Sequence, residues 1–132
     1  MRSSVLDSYA LLAFLFRQQG HQKVLDLLER AAGTEKPLLI ASPNWAEVRY
    51  MVERKAGRAH WPEVRRKLRA LPVEIVSADE ELADQAGAMR AIHKMSLADC
   101  FAAALAQLRK ADLYAGNPEF KAVEKEIRVI WI

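Results

Sequence analysis

The chain has 132 residues, 52% of them hydrophobic and 28% charged, with a net charge of +3. That length makes one domain, and a composition this apolar excludes a disordered chain. One cysteine excludes a disulfide framework or a cysteine zinc site, and five glycines and five prolines exclude a collagen-like or linker composition.

Ser3-Ser4-Val5-Leu6 predicts a short strand ending at Asp7. Ala10, Leu11, Leu12, Phe14 and Leu15 predict a buried helix that Gly20 breaks. Val24, Leu25, Leu27 and Leu28 give a second helix, stopped by Gly33. Leu38 to Ala41 is a continuous apolar run, the pattern of a strand buried on both faces. Ser42-Pro43 predicts a cap followed by a first-turn proline. The helix it opens carries Trp45, Val48, Met51 and Val52 on one stripe and stops at Gly57. A basic helix is expected from Arg58 to about Leu71, then a strand from Pro72 to Val76. Ser77 with Glu80 has capping-box spacing and opens a helix to about His93. Ser96 with Asp99 repeats that spacing before a helix to about Arg109. Leu113 to Ala115 predicts a fourth strand, Gly116-Asn117-Pro118 a short helix, and Arg128 to Ile132 a closing strand. Uncharged runs such as Ser8–Phe16 and Cys100–Leu108 are too short to span a bilayer. Asp7 and the lack of a small-residue cleavage site argue against a signal peptide. The expectation is a cytoplasmic protein without membrane contact.

Strands alternating with helices predict an α/β fold: a mostly parallel central sheet of about five strands, helices on both faces, in a single domain over residues 1–132. Ligands of such folds bind beyond the carboxyl ends of the strands. Asp7 directly follows the first strand, Glu47 lies early in the helix after the second, Asp99 in the first turn of its helix, and Asn117 just after the fourth strand. Each also has a plain structural reading. Asp7 and Asn117 suit helix caps, Asp99 suits the reciprocal partner of Ser96, and Glu47 suits a solvated helix surface.

Asp99 shares a helix face with Ala102, Ala103 and Ala106, while Leu97, Phe101, Leu105 and Leu108 form the opposite face. Both faces are apolar, so this helix is expected to be buried all round, with Asp99 partly desolvated. Asp7 has the same problem between Val5-Leu6 and an apolar helix. Two half-buried acids on one rim repel each other, and a divalent cation relieves that. Hard oxygen donors suit Mg²⁺ or Mn²⁺ rather than zinc. Such an ion can activate water for attack on a phosphodiester.

Four segments carry a resemblance: Val5-Leu6-Asp7-Ser8-Tyr9-Ala10-Leu11-Leu12-Ala13, Ser42-Pro43-Asn44-Trp45-Ala46-Glu47-Val48, Ser96-Leu97-Ala98-Asp99-Cys100-Phe101-Ala102 and Gly116-Asn117-Pro118-Glu119-Phe120. With the closing Val129-Ile130-Trp131-Ile132, the chain resembles PIN-domain ribonucleases, and specifically the VapC toxins of type II toxin–antitoxin systems. The resemblance implies a PIN-like three-layer sandwich and a Mg²⁺- or Mn²⁺-dependent endoribonuclease, with Asp7, Glu47 and Asp99 as the acidic triad. Asn117 falls where many members carry a fourth carboxylate. It removes a charge there, which bears on the second metal position, and Glu119 is a candidate to supply that charge. Ser8 and Ser96 match residues that orient the acids or cap helices, and Asn44 supports the site or satisfies local backbone. The implied partners are an RNA substrate, a second copy of the chain and a VapB-like antitoxin lying in a hydrophobic groove. Tyr9, Leu12, Phe14, Leu15, Phe16, Val24, Leu27 and Leu28 suit either that groove or the core.

Between Arg49 and Arg69 lie eight cationic and two acidic side chains, so the rest of the chain is net acidic. Arg49, Arg54, Arg58 and Arg65 are therefore candidate RNA contacts, and Trp61 suits either base stacking or packing. His21, His60 and His93 show no metal-ligand spacing, and no glycine-rich phosphate loop is present. Two other readings remain. One is a non-catalytic PIN-like binding module with a degraded metal site, favoured by Asn117. The other is a flavodoxin-like phosphoacceptor domain, disfavoured because Ser8, not a second acid, follows Asp7.

Overall fold

The computed structural model describes residues 2–132. Its strands are β1 (Ser4–Leu6), β2 (Leu38–Ala41), β3 (Val73–Val76), β4 (Asp112–Ala115) and β5 (Val129–Trp131). Its helices are α1 (Ser8–Phe16), α2 (His21–Thr34), α3 (Ser42–Ala56), α4 (Trp61–Arg69), α5 (Glu80–Ile92) and α6 (Leu97–Arg109). All strand pairings are parallel, in the order β3-β2-β1-β4-β5, so the expected mostly parallel sheet is parallel throughout.

The pleat of the strands divides the core in two. Successive side chains point to opposite faces. Val5, Leu39, Ala41, Leu113 and Ala115 enter one core with α5 and α6. Leu6, Leu38 and Ile40 enter the other with α1, α2, α3 and α4. Val5, Leu6 and Ile40 are fully buried, which is why these short strands read as unbroken apolar runs. The result is a three-layer sandwich.

The strand order reverses between β1 and β4. From β1 the chain builds β2 and β3 on one side, then crosses to place β4 and β5 on the other. The carboxyl ends of β1 and β4 flank the crevice this reversal creates, where open α/β sheets bind ligands. Asp7 and Gly116-Asn117 sit at those ends.

Several predicted boundaries shift for identifiable reasons. Arg17, in the left-handed region at φ 51°, ends α1, and Gly20 at φ 92° instead opens α2. Gly33 lies inside α2, which ends at Glu35 with φ 57°. Ala41 rather than Ser42 is the cap of α3; the Ser42 hydroxyl accepts from Ala78 N at 3.1 Å, tying α3 to the segment before α5. Asp79 displaces Ser77 as the cap of α5, accepting from Leu82 N at 2.9 Å. A carboxylate is the better acceptor beside the positive end of a helix. The basic helix divides into a 3₁₀ turn, Arg58–His60, and α4, while Pro118–Val123 is also 3₁₀. Helix α6 is not buried all round: Ala102 to Ala106 are buried, but Leu97 and Leu108 are exposed.

Gly116 leaves no room for a side chain, since a Cβ there would overlap ring carbons of Tyr9. Gly116→Ala is expected to lower stability by about 1–3 kcal/mol through this overpacking. Thermal melts of the two proteins check it; an unchanged melting temperature would mean the Tyr9 ring yields freely.

Candidate functional site

Asp7 is buried, with 1% of its surface exposed, at the exit of β1. Its Oδ1 accepts from Ala10 N at 2.7 Å, capping α1, and its Oδ2 accepts from Gly116 N at 3.3 Å. The capping role and the rim position thus belong to one carboxylate. Its own N–H donates to Tyr114 O at 3.2 Å, closing the seam between β1 and β4.

Asp99 is likewise buried, 5% exposed, in the first turn of α6. The Ser96 hydroxyl accepts from Asp99 N at 3.1 Å. Asp99 does not return the bond as a capping box requires. Ser96 N donates instead to Glu119 Oε1 at 3.1 Å, which releases the Asp99 carboxylate toward the cleft. There its Oδ2 accepts from Asn117 Nδ2 at 2.8 Å. Asn117 is fixed from both ends, because its Oδ1 accepts from Glu119 N at 3.1 Å and caps the 3₁₀ turn. The carboxamide thus presents a donor to Asp99.

Glu47 is held from α1: the Ser8 hydroxyl donates to Glu47 Oε1 at 2.7 Å. Asn44, fully buried, donates from Nδ2 to Ala98 O at 3.0 Å, pinning α3 to the first turn of α6 beside Asp99. An open cleft of about 520 Å³ is lined by Asp7, Ser8, Glu47, Ser96, Asp99, Asn117 and Glu119 together with Tyr9, Gly116 and Pro118. Seven of the eight residues singled out around the acids therefore share one cleft, and Asn44 braces it from below.

The electrostatics reflect the crowding. Burial pushes the Asp7 carboxyl up from 3.8 to about 7, against the two backbone donors that pull it down, and the charges of Asp99 and Glu47 add to the rise. Burial also raises Asp99 to about 7, helped by the Glu119 and Glu47 carboxylates and opposed by Ser96. No cationic side chain is bonded to Asp7 or Asp99 among the described residues. Nor do three His, Cys, Asp or Glu side chains of the described residues converge into a ready-made metal cluster. Two hard carboxylates in a cleft open to water nevertheless fit a Mg²⁺-type ion, which takes one or two carboxylates and keeps several waters.

The candidate RNA contacts lie on α3, the 3₁₀ turn and α4. Arg49 is engaged, its Nε 2.7 Å from Glu53 Oε2 and its guanidinium over the Trp61 ring. Arg54 and Arg58 line a groove beside α3, while Arg65 is exposed on α4 and outside that groove. Trp61 is buried, 4% exposed, edge-on to Trp45, so packing is its role. Val24, Leu27 and Leu28 belong to the core; Tyr9, Leu12, Phe14, Leu15 and Phe16 are half-buried. His93 faces Glu126 at 3.2 Å, and the three histidines do not meet. Among the described residues no helix is long and apolar enough to cross a membrane.

A family model described as the PIN domain matches residues 4–126. The chain is similar in structure to a VapBC complex of Rickettsia felis bound to promoter DNA, with 18% identity, 98% of each chain covered and a TM-score of 0.76. It is similar to a sarcin-ricin loop cleaving VapC toxin of Mycobacterium tuberculosis, with 16% identity, 92% of this chain and 95% of that one covered, and a TM-score of 0.73. A toxin–antitoxin complex of Klebsiella pneumoniae gives 22% identity, 97% and 96% coverage and a TM-score of 0.70. No curated protein sequence matches significantly.

Asp99 has a folded-state value near 7 against 3.8 for a free carboxyl. Between about pH 4 and 7 the folded, metal-free chain holds a proton that the unfolded chain has released, so stability is full below this window and falls as pH rises through it. Asp99→Asn keeps an acceptor for Asn117 and removes the charge. In EDTA it is expected to stabilise the protein by about 1–4 kcal/mol at pH 8 and to change little at pH 5. Melts at the two pH values check this; destabilisation at pH 8 would contradict the crowded-acid account.

Proposed function

The chain belongs to the PIN-domain family, and from that premise we propose that it is a Mg²⁺- or Mn²⁺-dependent endoribonuclease acting as the VapC-type toxin of a toxin–antitoxin pair. The observation that carries the reading is the pairing of two buried, mutually repelling carboxylates in one cleft at the strand-order reversal. A fold that gathers like charges without a cationic side chain between them costs stability, and a divalent cation is the partner that offsets the cost.

Asp7 and Asp99 would hold the ion, with Glu47 at the cleft wall. When bound, the cation supplies positive charge to the scissile phosphate and lowers the pKa of water. Asp7 cannot swing away, because Ala10 N and Gly116 N fix both of its oxygens. Glu47 is kept in place by the Ser8 hydroxyl, which leaves its other oxygen free to accept a proton from attacking water. Asn117 acts as a donor to Asp99, and Glu119 is the remaining charged group of the rim. With water as nucleophile, the 3′ oxygen leaves and the product carries a 5′-phosphate.

The neighbours' VapBC complexes support a VapB-like antitoxin as partner, and the half-buried Leu12, Phe14, Leu15 and Phe16 offer it apolar surface. A homodimer and a cytoplasmic site of action belong to the same proposal. One observation favours the non-catalytic reading: the Asn117 amide already satisfies an oxygen of Asp99 and brings no charge of its own.

Single-stranded RNA incubated with the protein is expected to be cut with Mg²⁺ and spared with EDTA. Asp7→Asn should lose more than about a hundredfold in rate, and Ser8→Ala, which only releases Glu47, about ten- to a hundredfold. A 2′-deoxy nucleotide at the cut should leave cleavage intact. Equal cleavage with and without metal, or by Asp7→Asn, would refute the mechanism.

Asn117→Asp adds a fourth acid beside Asp99. It is expected to tighten Mg²⁺ binding in calorimetry and to lower the melting temperature in EDTA, since the charge that serves the ion repels Asp99 without it. Unchanged Mg²⁺ affinity would confine position 117 to capping.

A further inference from the structure

The cations of the basic stretch are not equivalent. Arg66 and Lys67 pair with Glu63, Arg49 pairs with Glu53, and Lys55 lies over the Phe16 ring at 4.7 Å. Arg54 is different: its guanidinium stands 5.9 Å from the ring centre of Tyr50, one turn before it on α3. Tyr50 is 47% exposed, an unusual position for a large aromatic, and it forms no side-chain hydrogen bond among the described residues. Tyr50, Arg54 and Arg58 line one open groove of about 500 Å³. Among the described residues Arg58 has no ion-pair or ring partner there.

The groove is aligned with the acidic cleft by helix geometry. Glu47, Tyr50 and Arg54 follow one another at i, i+3 and i+7, so they share a face of α3. Tyr50 lies about 4.5 Å, and Arg54 about 10.5 Å, along the axis from Glu47. A flexible strand whose phosphate enters the cleft can thus lay an adjacent base against the Tyr50 ring and a further phosphate against Arg54 and Arg58. An aromatic face beside cations is the arrangement that holds unpaired bases, because every base has a stacking face and every linkage a negative charge.

We propose that Tyr50, with Arg54 and Arg58, forms a base-stacking subsite that holds single-stranded RNA one nucleotide away from the acidic cleft. The subsite rests on the ribonuclease reading above and adds to it a positioning residue outside the acids. It also selects for unpaired RNA, since a paired base cannot turn its face to the phenol ring.

Binding is measured by anisotropy of a labelled single-stranded RNA in Mg²⁺, in an Asp99→Asn background so that the strand survives. Tyr50→Ala is expected to raise Kd about five- to 150-fold and Tyr50→Phe to leave it nearly unchanged, because the ring and not the hydroxyl stacks. An abasic nucleotide walked along the strand should abolish the Tyr50→Ala penalty at one position. A surface role in folding would not produce that coupling. Arg58→Ala should reduce the slope of log K against log salt by about 0.7. RNA bound equally by the background protein and by Tyr50→Ala overturns the subsite and leaves the ribonuclease reading standing. If the unsubstituted protein neither binds nor cuts RNA, both fall.

Discussion

Everything at the functional end of this molecule depends on one buried carboxylate. Asp7 caps α1 through Ala10 N, accepts from Gly116 N beyond β4, and through its own N–H joins Tyr114 of that strand. It therefore fixes the first helix, the central strand pair and the floor of the cleft together. The same burial that makes these bonds firm raises the cost of its charge, since desolvation disfavours the ionised form.

Around it the fold brings further acids rather than cations. Asp99 arrives on α6, Glu47 on α3 and Glu119 on the 3₁₀ turn after β4. Neutral groups hold them: Ser8 holds Glu47, Ser96 N holds Glu119, and Asn117 reaches Asp99. Hydroxyls, amides and backbone N–H groups orient a carboxylate without cancelling its charge, as arginine or lysine would. The cleft stays electrostatically unsatisfied, and destabilised sites of this kind are where proteins exchange stability for function.

Charge is also distributed over distance. The basic residues of α3, the 3₁₀ turn and α4 offset the acidic rim, and most are spent on local ion pairs and ring contacts. Helix α3 spans both regions. Its first turns carry Asn44 and Glu47 at the cleft, and its later turns carry Tyr50 and Arg54 on the adjoining groove. One rigid rod thus sets the spacing between the acids and the surface on which a polyanion can lie.

The sequence alone determined the alternation of strands and helices, because buried parallel strands leave unbroken apolar runs such as Leu38–Ala41 and helices leave spaced ones. It also placed Asp7 and Asn117 just after strands and Glu47 and Asp99 in the early turns of helices, since element ends can be read from hydrophobic periodicity and cap residues. It misjudged the caps at Ser42 and Ser77, where a competing acceptor or a tertiary partner decided the outcome. Trp61 takes the packing role expected of it, against Trp45, whereas nothing in the sequence marked Tyr50 as exposed, since exposure of one aromatic residue in a basic helix is decided by what packs over it. That Ser96 N bonds Glu119 and frees Asp99 for Asn117 was a decision of the tertiary structure, because the partners lie about twenty residues apart and meet only where the sheet order reverses.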